Sequence, residues 1–145
     1  MDIRPMTRQD AHVIQAWTYE APYDFYNQEA SAEGLDELMA YRAVHDRALI
    51  GFYCLGVYAQ VTNDTYVYDD TYTDIGLGMH PDRTGQGHGR QFVRMVMREA
   101  AREGKPLRLT VAAFNRRAIH IYEQLGFRHV ASFEKKQTCF LVMNQ

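Results

Sequence analysis

The stretch from Met79 to Val93 reads MHPDRTGQGHGRQFV. Gly85, Gly87 and Gly89 alternate with polar residues and run into a helical pattern, where Phe92, Val93, Val96, Met97 and Ala100 share one side. Just before it, TDIGLGMH reads as a strand. A strand, a bare turn and a helix make an anion site. The first amides of a helix lack internal acceptors and carry its positive dipole end. Glycine lets a phosphate approach the backbone with no Cβ in the way. Two known phosphate loops do not fit. A P-loop needs Lys-Ser/Thr after its last glycine, and GHGRQF offers none. The dinucleotide fingerprint starts at Gly85 and Gly87 but meets Arg90 where its third glycine belongs, and it would open a fold near the N-terminus.

The rest of the chain supplies elements to surround this segment. MDIRPM reads as a first strand, and Thr7 with Asp10 has capping-box spacing ahead of a helix over 8–20. Ser31 caps a second helix over 32–40, with Leu35, Leu38 and Met39 on one face. YRAVHD and ALIGFYCLGVYAQV read as a hairpin turning near Asp46 and Arg47. The tyrosine-rich TNDTYVYDDTY is a loop or a strand extension. Gly76 and Gly78 inside the next strand mark a bulge, or a place where a ligand lies on the backbone. After the helix over 87–104 come the strand LRLTVAA, a helix over 116–125 capped by Asn115 and closed by Gly126, and two last strands. The order β-α-α-β-β-β-α-β-α-β-β predicts an α/β (α+β mixed) fold, a mixed twisted sheet of about seven strands with about four helices against it. Neither a repeat nor a linker interrupts the chain, which predicts one domain over residues 1–145.

Composition excludes several classes. No window approaches ~18 apolar residues in a row, so no membrane span is expected. A charged N-terminus without an apolar run, and two isolated cysteines, predict a cytoplasmic protein. The histidines lack metal-ligand spacing, so no metal is expected. Residues 1–75 hold 13 acids against 4 Lys/Arg, a net of −9, and residues 76–145 hold 5 against 12, a net of +7. Opposite halves of one domain attract each other; equally, an anion held by one half and a cation received by the other would produce this split. Nucleic acid is a poor partner for a sequence pI near 6.3.

GLGMHPDRTGQGHGRQFV resembles the acyl-CoA pyrophosphate loop of the Gcn5-related N-acetyltransferases (GNAT), and VAAFNRRAIHIYEQLGFRHV resembles the second signature of that superfamily. The element order fits the same fold over nearly the whole chain. The resemblance implies acetyl-CoA as co-substrate, lying between strand ends Leu77–Met79 and Leu109–Ala113 that splay apart. Backbone groups of Leu77 and Met79 would bond the pantetheine arm. The amides of Gly85, Gln86, Gly87, His88, Gly89 and Arg90 would hold the pyrophosphate, with the Arg90 side chain close by. Asn115 would position the donor or the strand end, beside its capping role. The family loop starts with Gln or Arg, and this chain has Thr84 there, which keeps the amide but lacks a long donor; Arg83 is the alternative.

The implied activity is transfer of an acetyl group from acetyl-CoA to a primary amine by direct attack in a ternary complex. An alkyl ammonium of pKa ~10 is about one part in a thousand neutral at pH 7, a cost of roughly 4 kcal/mol, so a base or water chain is useful. Asp74 is the best single carboxylate, but a shift of one residue would present Thr73 or Ile75 instead. Asp69, Asp70 and a water chain are the other candidates. Tyr122 matches the family's leaving-group acid, which would protonate the departing thiol; on spacing alone it reads equally as an aromatic on the helix's apolar face. Tyr23, Asp24, Phe25 and Tyr26, aromatics among carboxylates, suit a cationic acceptor. The reading from a different class is an acyl-CoA sensor without turnover. The sequence does not give the oligomeric state; dimers are common in the superfamily it resembles, so the resemblance leaves a homodimer open as a partner state.

Overall fold

Three of the four helices begin at a short polar side chain that takes up an amide the helix cannot satisfy. The computed structural model describes residues 1–84 and 87–145. Helix α1 (Arg8–Gln15) opens on the full capping box: Thr7 Oγ1 accepts from the Asp10 amide at 3.0 Å, and Asp10 accepts from the Thr7 amide at 3.2 Å. Ser31 caps α2 (Ala32–Leu38) at the Gly34 amide, 3.0 Å away. Asn115 caps α4 (Arg116–Gln124) at the Ala118 amide, 3.2 Å away. Among the described residues helix α3 (Gly89–Ala100) has no side-chain cap. Gly126 follows α4 at φ 97°, the left-handed turn expected of a C-terminal glycine.

Seven strands form one sheet in the order β1-β2-β3-β4-β5-β7-β6. They are β1 (Asp2–Pro5), β2 (Arg42–Asp46), β3 (Ala48–Leu55), β4 (Thr73–Met79), β5 (Leu107–Ala112), β6 (Arg128–Lys135) and β7 (Thr138–Asn144). The element order is that of the predicted mixed fold. β1 and β3 pair antiparallel to β2, β4 pairs parallel to β5, and β7 lies antiparallel between β5 and β6. The first hairpin turns at Arg47, at φ 68°. Several expected bounds are cut short, among them those over 32–40 and 87–104. Helix α1 ends at Gln15, after which Trp17 turns into the core with its amide on the Ile14 carbonyl. β3 ends at Leu55, where Gly56 takes φ 72° and opens a 3₁₀ turn over Gly56–Ala59. Met39 falls outside α2 and is exposed, so only Leu35 and Leu38 of the expected face pack inward.

The chain divides into two compact units, Met1–Cys54 with Leu77–Gln86, and Leu55–Gly76 with Gly87–Gln145. In the first, Met6, Ala11, Ile14, Trp17, Leu38 and Ala43 form a core with Tyr19, Tyr41 and Phe52 packed on it. In the second, Phe92, Val93, Val96 and Ala100 of α3 are buried, as are Leu107, Leu109 and Val111 of β5 and Val142 and Met143 of β7. Met97, expected on the same α3 face, is only half-buried. Among the described residues no helix is long and apolar enough to cross a membrane.

Gly78 has a packing explanation in the first unit. A Cβ built there would lie 2.5 Å from the ring of Phe52. The bare position on β4 is therefore filled by an aromatic ring of the same protein, which stacks in turn with Tyr41 at 5.9 Å and Trp17 at 6.2 Å. Gly78→Ala should lower unfolding free energy by about 1–3 kcal/mol through overpacking, measured by urea denaturation; an unchanged midpoint would show that Phe52 moves aside freely.

Candidate active site

The loop between β4 and α3 begins as a short 3₁₀ turn over Pro81–Arg83. His80 Nδ1 caps it by accepting from the Asp82 amide at 3.0 Å. The Thr84 hydroxyl donates to the Pro81 carbonyl at 2.8 Å, so its side chain is used within the turn. Gly85 and Gln86 lie outside the described residues. The next two glycines are bare for different reasons. Gly87 has φ 82° and open space around a built Cβ, so its backbone conformation demands glycine. A Cβ on Gly89 would come 2.9 Å from Ile121 Cδ1, so its bareness lets α3 approach α4. His88 is the N-cap of α3 and supplies no side-chain hydrogen bond there. Arg90 sits in the first turn, where its guanidinium donates to Gln124 Oε1 on α4.

In a strand, the N–H and C=O of one residue point to one edge and those of the next residue to the other. The Thr73 amide donates to Pro106 O at 2.9 Å, and the His80 amide donates to Ile50 O at 2.8 Å. Counting by twos from either end, Leu77 and Met79 turn their main-chain groups to the edge of β4 opposite β3. At that edge the Tyr19 hydroxyl donates to the Met79 carbonyl at 2.6 Å. Burial pushes the Tyr19 phenol up to about 12. The ladder between β4 and β5 runs from Thr73↔Leu107 to Ile75↔Leu109, while β4 continues to Met79 and β5 to Ala112.

Asp74 is placed differently from what a general base requires. It is buried, and its carboxylate receives a two-pronged hydrogen bond from Arg108 on β5, Nε to Oδ1 at 2.7 Å and Nη2 to Oδ2 at 2.8 Å. Gln60 Nε2 adds a third bond at 3.0 Å. Arg108 is wholly buried and also donates to the Asp69 carbonyl at 2.7 Å. The rings of Tyr66, Tyr68 and Tyr72 stand 5.9, 5.1 and 5.1 Å from its guanidinium carbon. Hydrogen bonding to Asp74 raises the arginine's pKa further, so this cation keeps its proton. Of the other base candidates, Asp69 is held below the usual carboxylate range by hydrogen bonds from Thr71, which makes it a weaker base. Asp70 is exposed.

Tyr122 lies on α4 and is 8% exposed, with its ring edge-to-face against Phe127 at 6.0 Å. Asn115 makes the α4 cap, one of its two expected roles. Tyr23–Tyr26 forms one 3₁₀ turn, in which Phe25 and Tyr26 are exposed and meet edge-to-face at 5.2 Å. The first unit thus holds Leu77, Met79, Thr84 and the Tyr23–Tyr26 turn, and the second holds Asp74, Gly87 to Arg90, Asn115 and Tyr122. Among the described residues no group of His, Cys, Asp and Glu could hold a metal ion.

The model of the Acetyltransferase (GNAT) family matches residues 5–127, most of the chain. The chain belongs to the GNAT acetyltransferase family. Solved structures share its fold. A chimera of the spermidine N-acetyltransferase SpeG from Vibrio cholerae with hSSAT superposes with a TM-score of 0.68 at 21% identity, covering 99% of this chain and 94% of the other. The aminoglycoside acetyltransferase AAC(6')-Ib in complex with coenzyme A and kanamycin gives 0.77 at 17% identity, with 99% and 92% covered. No curated protein matches the chain by sequence.

Two residues with notable contacts in this GNAT-family chain escaped the sequence reading. Arg108 sits in LRLTVAA at a position whose neighbours Leu107 and Leu109 are both buried, and a charge inside such a run is the signal that it needs a buried partner. Tyr19 precedes the aromatic loop by only a few residues, but nothing local marks its reach to Met79. Removing one partner of a buried ion pair strands the other charge, at about 3–5 kcal/mol. Asp74→Asn and Arg108→Met should each lower stability by that order in chemical denaturation. The double change Asp74→Leu with Arg108→Met should cost less than either single one. If it costs the sum of both, the pair is not the coupled unit described.

Proposed function

We propose that this protein transfers an acetyl group from acetyl-CoA to a primary amine. The observation that carries the reading is the N-terminus of α3. Of four helices it is the one without a side-chain cap among the described residues, and it follows the glycine loop directly. A diphosphate would accept from those first amides and meet the positive end of the dipole, which is what a side-chain cap does elsewhere. Main-chain groups of Leu77 and Met79 would carry the rest of the donor along the open edge of β4.

The amine nitrogen attacks the thioester carbonyl, the new N–C bond forms, and the C–S bond breaks. One ammonium proton leaves through water before the attack; afterwards Tyr122 gives the departing sulfur its proton and recovers one from the nitrogen as the amide forms. Asp74 we assign to holding Arg108 rather than to taking that proton, because its oxygens already accept from Arg108 and Gln60. The acceptor would bind at Tyr23, Asp24, Phe25 and Tyr26, where ring faces and a carboxylate suit a cation. The names of the compared structures point to amines too, one to spermidine and the other to aminoglycosides. The competing reading, a sensor that holds acyl-CoA without turnover, draws support from the engaged Asp74 and from Thr84 in place of a long donor.

Two measurements test this. Acetyl-CoA at a hundred times its Kd should add about 2.7 kcal/mol of stability, seen as a rise in melting temperature; no rise removes enzyme and sensor together. Free thiol should appear when acetyl-CoA is mixed with a panel of polyamines, amino sugars and amino-terminal peptides, and Tyr122→Phe should slow it by about a hundredfold or more. Donor binding with no thiol release from any amine would favour the sensor. Thiol release by Tyr122→Phe at the unmodified rate would move the acid role elsewhere.

A further inference from the structure

Tyr19 makes two hydrogen bonds from opposite ends of the same residue. Its hydroxyl donates to the Met79 carbonyl at 2.6 Å, and its backbone amide donates to Asn27 Oδ1 at 2.7 Å. The second bond closes the segment from Tyr19 to Asn27, which contains the Tyr23–Tyr26 turn. Asn27 also ends that turn, its amide on the Asp24 carbonyl at 3.0 Å. The first bond fixes the closed segment to β4. The peptide it reaches is held at its other side as well, since the His80 amide donates to Ile50 O at 2.8 Å. The Met79–His80 peptide is therefore clamped between a tyrosine and a neighbouring strand, with its carbonyl facing the edge of β4 opposite β3.

We propose that Tyr19 is a positioning residue that fixes the Met79 carbonyl for the acyl donor and anchors the acceptor loop to the same peptide. The inference rests on the reading that the donor lies along this edge of β4. A carbonyl oxygen has two lone pairs, so the tyrosine takes one and leaves one for an amide N–H of the donor. Its raised pKa keeps the phenol a donor over the whole range of ordinary assay conditions. A main chain that is already held costs less to order when ligand arrives. The same residue thus ties the strand that would hold the donor to the turn that would receive the amine.

The test is calorimetric binding of acetyl-CoA to the full chain, with melting temperature recorded in parallel. Tyr19→Phe keeps the ring and removes only the hydroxyl; it should weaken acetyl-CoA binding about five- to tenfold, the order expected for one hydrogen bond. Asn27→Ala should weaken it less, and Asn27→Asp, which keeps an oxygen acceptor for the Tyr19 amide, should restore it. A purely structural role would lower the melting temperature and leave Kd unchanged. Equal or tighter binding by Tyr19→Phe overturns the proposal, tighter binding meaning that the phenol blocks the carbonyl. Failure of the unmodified protein to bind acetyl-CoA overturns the proposal and the donor reading beneath it together. Normal binding by the unmodified protein with an unaffected Tyr19→Phe overturns Tyr19 alone.

Discussion

A guanidinium with no solvent exposure sits against a carboxylate that is almost as buried, and the join between β4 and β5 is built around the two. Taking both charges out of water costs several kcal/mol per ion, and the return comes only if each hydrogen-bonding position is met. Here most are met. Arg108 reaches both oxygens of Asp74, the Asp69 carbonyl and the hydroxyl of Tyr66, while Gln60 takes part of the remaining demand of Asp74. Such a pair adds little net stability over well-packed apolar residues, so its value lies elsewhere. Asp74 and Arg108 stand opposite each other in the ladder. A slip of one residue would set Arg108 against Ile75 and leave both charges buried and unpaired. The pair penalises every wrong register of the one parallel ladder described, and so fixes where each strand runs on alone. We read its role as specificity of register.

The same interaction gives the tyrosine-rich stretch its structure. Tyr66, Tyr68 and Tyr72 place ring faces toward the cation, and Tyr68 shares a 2.7 Å hydrogen bond with Thr110 on β5. Tyr66 stacks on Phe133 at 6.4 Å. A segment with no regular secondary structure is thus held by the Arg108 cation together with Thr110 and Phe133. Cation–π attraction strengthens when the cation is desolvated, and Arg108 has no water to leave.

Local signals made the helices and their starts legible. A cap is a contact within three residues, so Thr7, Ser31 and Asn115 could be read directly, as could the order of strands and helices from alternating patterns. The glycine loop was legible for the same reason, and with the second signature it identified the family. Contacts distant in sequence were not. Arg108 and Asp74 are 34 residues apart, and Tyr19 and Met79 are 60 apart. No periodicity links them, and a carboxylate before a phosphate loop looks alike whether it faces solvent, a substrate or a buried arginine. Gly78 and Gly89 each carry a packing reason of the same distant kind: a Cβ there would meet Phe52 in one case and Ile121 in the other. Of these three, Gly87 is the one bare for the sake of its own backbone angle.

The charge asymmetry between the halves loses part of its force for a comparable reason. Several acids of the first 75 residues are engaged internally: Asp10 in a cap, Asp36 with Arg8, Glu37 with the Tyr41 hydroxyl and Asp74 with Arg108. Of these, Asp36 and Asp74 are paired with arginines and contribute little field at a distance, whereas Asp10 and Glu37 bond neutral donors and keep their charge. Glu20 is exposed just before the Tyr23–Tyr26 turn and Asp24 is exposed within it, so they present charge to anything approaching it. A carboxylate in water screens over about 8–10 Å at ordinary ionic strength, far enough to draw an ammonium toward the turn but not to choose among amines. On the proposed reading, choice would come from the shape and ring faces of the turn itself. That shape is held by Asn27 and Tyr19, so under this proposal discrimination of acceptors would depend on how firmly one short loop is tied to one strand.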